Sequence, residues 1–194
     1  MAKHNIVYDS VYETALEQAD LSALNSDAVR VTEIRDRGFV VLRLRPATAG
    51  VSEAMAKLGI ELPDALGMTG SADTRLVKWI SPDEYLVTLP LAEKDTFITD
   101  AKAALEGIFS AVVDNSGGYS LLNIAGSEYQ ELLSKLTFYD LRGNLPVGKV
   151  VSTLMTKAPV IFYRTAEDSL MCMVRWSFAD YAWKIMVKAA EEYR

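Results

Sequence analysis

Apolar residues in this chain recur mostly at every second position, in short runs punctuated by Gly, Pro, Asp and Asn, which is the rhythm of half-buried strands. Val29, Val31 and Ile34, followed by Phe39-Val40-Val41-Leu42 and Leu44, predict a hairpin turning at Asp36-Arg37-Gly38. Val51 to Leu58 switches to helical spacing and stops at Gly59. Leu76 to Ile80 and Tyr85 to Leu89 frame Ser81-Pro82-Asp83-Glu84. There Pro82 presets the backbone angle of a type I turn, and Ser81 and Asp83 suit its polar corners, so a second hairpin is predicted. Ala92 to Leu105 places Phe97, Ile98, Ala101, Ala104 and Leu105 on one helical face, closed by Gly107.

The second half repeats this style. Phe109 to Asp114 and Tyr119 to Ile124 predict a further hairpin through Asn115-Ser116-Gly117-Gly118, where glycine supplies positive φ. A phosphate nest is the rival role for that turn, but no helix N-terminus follows it. Ser127 suits a helix N-cap with Gln130 as its capping-box partner, and Leu132, Leu133 and Leu136 form the buried stripe. Lys149 to Thr156, Val160 to Arg164 and Leu170 to Trp176 predict three more strands, the last two joined by a turn over Thr165 to Ser169. Ser177 then caps a helix reaching Tyr193. Phe178, Tyr181, Ala182, Ile185, Met186 and Ala189 make one apolar stripe there, and Trp183, Val187 and Ala190 make a second beside it. That is wider than a helix with one buried face needs. Either core packing explains the excess, or the helix also presses on another chain, with Trp183 and Val187 as the contact residues.

Charge adds two features. Asp9 to Val29 holds five acidic residues and no basic one, which reads as a weakly helical solvated arm or as one that orders against a basic partner. His4 precedes it as a tail residue rather than a base. Arg30 to Arg45 reverses the sign, and Arg43 and Arg45, two apart, share a strand face that is either solvated or a docking surface for acidic groups. Asp83 and Glu84 are adjacent on a turn tip, a poor arrangement for an acid–base pair.

Composition removes several function classes. Across 194 residues the net charge is −6, which argues against sequence-independent nucleic-acid binding. No apolar run approaches the roughly 20 residues of a membrane helix, and the first ten residues lack a signal-peptide core. A single cysteine, Cys172, admits no internal disulfide and reads as a small buried residue, so a cytoplasmic protein is expected. With one histidine and one cysteine far apart there is no His/Cys metal cluster and no Cys–His pair. Neither the dinucleotide glycine fingerprint nor the P-loop occurs. No catalytic, cofactor-binding or metal residue is assigned.

The order of several segments carries more. Leu58-Gly59-Ile60 with Leu62-Pro63 and Trp79-Ile80-Ser81-Pro82-Asp83-Glu84-Tyr85-Leu86 open the series. Val113 to Ser116, Leu121 to Ser127, Phe138-Tyr139-Asp140-Leu141, Leu145-Pro146-Val147-Gly148 and Val174 to Ala179 with Tyr181 and Trp183 continue it. Together, over about residues 29 to 193, they resemble the gamma subunit family of heterotetrameric sarcosine oxidase, itself similar to the folate-binding aminomethyltransferase (glycine-cleavage T-protein) fold. The resemblance implies an α+β fold of two βαβ-type lobes with mostly antiparallel sheets, residues 29–108 and 109–194, behind the acidic arm 1–28. It also implies a complex with alpha, beta and delta subunits that oxidises the N-methyl group of sarcosine, with FAD, FMN, NAD and tetrahydrofolate in those partners. T-proteins carry a Gly-Gly and an acidic catalytic residue in the hairpin after the Pro-x-Gly turn. Here that hairpin reads Met155-Thr156-Lys157-Ala158-Pro159, without a carboxylate. The resemblance therefore implies a scaffold without the chemistry. Two alternatives stay open: a free-standing T-protein-like folate binder using Asp114 or Asp140, and a scaffold that assembles only with itself.

Overall fold

The computed structural model of the chain describes Leu16 and residues 19–193. His4, Asp9, Glu13 and Glu17, and with them most of the expected arm, lie outside the described residues.

Strands gather into two five-stranded sheets. The first runs β1 (Arg30–Ile34), β7 (Tyr119–Ala125), β10 (Ser169–Arg175), β9 (Ala158–Tyr163), β8 (Val150–Met155). The second runs β3 (Met68–Gly70), β4 (Leu76–Ser81), β5 (Glu84–Pro90), β2 (Arg37–Arg43), β6 (Ala111–Asp114). Every neighbouring pair is antiparallel. Helices α1 (Val51–Lys57) and α2 (Lys94–Ala104) cover the outer face of the second sheet. Helices α3 (Tyr129–Ser134), α4 (Leu141–Asn144) and α5 (Trp176–Ala189) cover that of the first.

The layering follows from alternation along the strands. Val160, Phe162, Cys172 and Val174 face the helices, joined by Leu16 and Leu24. Ile161, Tyr163, Met171 and Met173 face the other way and meet Phe39, Leu76 and Leu86 of the second sheet. The result is a helix–sheet–sheet–helix stack in which central strands are buried on both faces, each large apolar side chain contributing about 1.5–3 kcal/mol.

Two expected hairpins are absent. Residues 29–44 do not fold back on themselves: β1 pairs with β7 in the first sheet, while β2 pairs with β5 and β6 in the second. Residues 109–124 likewise divide between β6 and β7. The two stretches instead pair with each other as one long antiparallel ribbon, Arg43 opposite Ala111 at one end and Arg30 opposite Ala125 at the other. Both chains bend midway, and the pairing slips by one residue at the bend. Asp36 turns there in the left-handed region (φ 59°). On the other chain Asn115 N–H donates to Phe39 O at 2.8 Å and Phe39 N–H donates to Ser116 Oγ at 3.0 Å, so the turn residues clasp β2 rather than closing a hairpin. The hairpin of Leu76 to Leu89 forms as expected, as do those joining β8, β9 and β10.

Two caps also differ. Glu128, not Ser127, takes the N-cap position of α3, and Gln130 Nε2 donates to the Tyr129 hydroxyl instead of closing a capping box. Ser127 and Glu128 are held by their backbone N–H groups, which donate to Asp27 O and Ala28 O. Gly126 permits that approach, since its φ is +117° and a Cβ there would lie 2.4 Å from Ala28 O. Arg175 precedes α5 without a side-chain cap, which leaves Ser177 inside the helix.

Candidate functional site

Asp114 and Asp140, the two carboxylates weighed for catalysis, are both committed within the fold. Asp114 ends β6, where its Oδ2 lies 2.6 Å from Lys94 Nζ and its Oδ1 accepts from Ser116 N–H at 2.9 Å. Lys94, at the start of α2, is buried and also reaches Asp95 at 3.1 Å. Burial opposes the lysine's charge, but the bonds to Asp114 and Asp95 outweigh it and raise its pKa. Burial also works against the Asp114 charge, yet the bonds from Lys94 and Ser116 hold that carboxyl below its usual range. Asp140 accepts from Arg142 N–H at 3.1 Å and Gly143 N–H at 3.0 Å, which makes it the N-cap of α4.

Of the two arginines, Arg43 answers the turn acids. Arg43 Nη2 lies 2.9 Å from Asp83 Oδ2, and its Nη1 lies 3.3 Å from Glu84 Oε2. The bonds from Arg43 and from Ser81 lower the Asp83 pKa, and the turn acids tie the β4–β5 turn to the end of β2. Arg45 lies past the end of β2 and is exposed. Trp183 is only 5% exposed and packs in the core beneath α5 with Met186 and Ala182; Val187 is half-buried on the same cluster. Core packing thus absorbs the second stripe of that helix, and Trp183 is not on the surface. The exposed aromatics of α5 are instead Trp176 and Phe178 at its first turn.

Cys172 is fully buried, and burial pushes its thiol pKa up, as a small core residue requires. Gly118 N–H donates to Asn115 O and its carbonyl accepts from Trp176 N–H, so the Gly-Gly backbone serves the crossing between the sheets. In the hairpin without a carboxylate, Thr156 Oγ1 sits 2.6 Å from the Tyr181 hydroxyl. Among the described residues no group of three or more His, Cys, Asp or Glu side chains could hold a metal, and no helix is long and apolar enough to cross a membrane.

Two features escape sequence reasoning. Lys78, midway along β4, is fully buried between the sheets, its Nζ 2.6 Å from Thr88 Oγ1 and 4.8 Å from the Tyr163 ring centre. Burial lowers its pKa to about 7. The signal was a lone lysine inside Leu76-Val77-Lys78-Trp79-Ile80. The second is a cavity of about 400 Å³ where the first sheet runs past the second, lined by Ile80, Tyr119, Leu154, Ile161, Met173 and Arg175 among others.

The architecture and the commitments of its acids define an α+β protein of the T-protein-like fold class. Aminomethyltransferase T of the glycine cleavage system from Bartonella henselae superposes with a TM-score of 0.62 at 9% identity, over 91% of this chain and 48% of that one, a likeness of fold alone. The particular family is narrower. Residues 45–192 match the family model described as sarcosine oxidase, gamma subunit family, and the chain belongs to that family. A sarcosine oxidase subunit gamma from Arthrobacter sp. is 29% identical over 180 residues, spanning 92% of this chain and 88% of the relative. One from Corynebacterium sp. (strain U-96) is 28% identical over 181 residues, spanning 92% and 86%. A chain of the heterotetrameric sarcosine oxidase from Corynebacterium sp. U-96, solved in complex with pyrrole 2-carboxylate, superposes with a TM-score of 0.83 at 27% identity over 92% of both chains.

Proposed function

We propose that this chain is the gamma subunit of a cytoplasmic heterotetrameric sarcosine oxidase and that its role there is structural rather than catalytic. Its partners are the alpha, beta and delta subunits, which carry FAD, FMN, NAD and tetrahydrofolate. The complex oxidatively demethylates sarcosine to glycine, with hydrogen peroxide and either formaldehyde or methylene-tetrahydrofolate as the other products. Membership of the gamma family over residues 45–192 supports the assembly. The observation that carries the structural role is the commitment of the two candidate acids: Asp114 holds the buried Lys94, and Asp140 caps α4. A carboxylate held in an ion pair or bonded to a helix end is a poor general base, because its charge is already stabilised.

The test is co-expression of the tagged chain with the subunits encoded beside it, followed by assay of the purified complex. Flavin-bearing large subunits should co-purify, and Asp114→Asn and Asp140→Asn complexes should turn over sarcosine at the wild-type rate. Tetrahydrofolate titrated into the isolated chain should give no heat of binding. Recovery of the chain alone, or a hundred-fold loss of turnover in an assembled variant, would refute the reading.

A further inference from the structure

The inner face of the first sheet is longer than the second sheet that covers it. Deep in the stack this face presents Tyr163, Met171 and Val150, all buried. At the other end, across β7, β10, β9 and β8, it presents Tyr119, Arg175, Pro159 and Leu154. Arg175, Pro159 and Leu154 are exposed there, Leu154 to 53%. The cavity of about 400 Å³ is this uncovered end, floored by Ile161 and Met173. Trp176, 48% exposed, follows Arg175 directly. A sheet face of this composition is the kind that folding ordinarily covers.

Charge identifies what covers it. The Arg175 guanidinium stacks 4.7 Å from the centre of the Tyr119 ring, which fixes its direction. It makes no ion pair with any described residue, whereas Glu84, the acid on the cavity wall, is already bonded to Arg43 at 3.3 Å. The cavity wall therefore carries an oriented guanidinium that has no ion-pair partner among the described residues, above an apolar floor, in a chain whose net charge is −6. We infer that this overhanging face is the seat of a partner subunit, filled by a segment that places an Asp or Glu carboxylate on Arg175 and apolar side chains against Leu154, Pro159 and Ile161. Arginine and tyrosine together over apolar side chains is a composition enriched at interface centres. The assignment rests on the structural-subunit reading above and says which surface performs that role.

The test uses the co-expressed complex. Arg175→Glu and Leu154→Asp, each checked for an unchanged thermal midpoint as the isolated chain, should reduce recovery of the large subunits at least about ten-fold, while Arg175→Lys should retain most of it. Hydrogen exchange in the wild type should slow over residues 150–163 on assembly. Wild-type recovery of partners by both disruptive variants would overturn the inference, as would unchanged exchange over 150–163 or a small carboxylate found filling the cavity of the complex. Should a variant unfold, the wild-type exchange measurement decides alone. If the wild-type chain recovers no partner, the subunit reading fails and this inference falls with it; if it does and the variants match it, only this inference fails.

Discussion

Lys78→Met should stabilise the protein and remove a pH dependence that the wild type shows. Lys78 is fully buried, hydrogen-bonded to Thr88 and set over the Tyr163 ring, and its pKa falls from an ordinary 10.5 to about 7. Folding near neutrality must therefore strip much of a proton that the unfolded chain keeps, and a drop of that size costs roughly 4 kcal/mol at pH 7. The sign is fixed by linkage. Above pH 10.5 both states are neutral and nothing is lost. As pH falls from 10.5 towards 7 only the unfolded chain binds the proton, so stability declines by up to about 1.4 kcal/mol per pH unit. Below 7 the native lysine charges as well and the loss levels off. Methionine fills similar volume without a charge, at a cost of about 1 kcal/mol for the lost Thr88 bond. Urea unfolding followed by tryptophan fluorescence at pH 7, 8 and 9 measures both proteins. The variant should be a few kcal/mol more stable at pH 7, and the gap should shrink by about 2–3 kcal/mol by pH 9. A variant less stable than wild type at pH 7, or a gap constant from pH 7 to 9, would refute the reasoning.

Three further substitutions test the core, the ion pair and the ribbon. Trp183→Ala should cost about 3–5 kcal/mol in urea unfolding, because the indole is buried under α5 and its removal leaves a cavity. Asp114→Asn should cost about 1–3 kcal/mol, since the buried Lys94 loses the carboxylate at 2.6 Å, and added salt should not rescue the loss. Gly126→Ala should cost about 2 kcal/mol or more, measured as a lowered urea midpoint, because φ +117° and the contact with Ala28 O both resist a Cβ.

How far the sequence was legible depends on how local each signal is. Ser81-Pro82-Asp83 encodes its hairpin outright, because the turn fixes its own geometry and the flanking alternation needs no distant partner. The segments around Asp36 and Gly117-Gly118 carry the same signature, apolar alternation broken by polar and glycine residues, and yet they are bends. A bend and a hairpin need the same residue types, since both require a left-handed residue and polar groups that satisfy their own backbone. They differ in which strand lies alongside, and the strands that complete the ribbon with β1 and β2, namely β7 and β6, begin some eighty residues later. That information is tertiary, so no local reading of Ile34 to Phe39 contains it.

The same distinction separates Trp183 from Arg175. An over-wide apolar stripe shows that a helix is covered on two sides without saying by what. The stretch from Lys135 to Tyr139, the hairpin residue Thr156 and the turn at Glu191 to Tyr193 close around α5 and turn its second side inward. Arg175 gave no such hint, because an arginine at a strand end is ordinarily a solvated charge. What sets it apart is position: it shares the exposed end of the first sheet's inner face with Pro159 and Leu154. Sheet lengths are set jointly by the turn at Thr156 and the one at Ser81, in opposite halves of the chain. This end of the sheet is exposed while the strands bordering it read as core, so the apolar pattern singles out Trp183, which is buried, and passes over Trp176, which is 48% exposed.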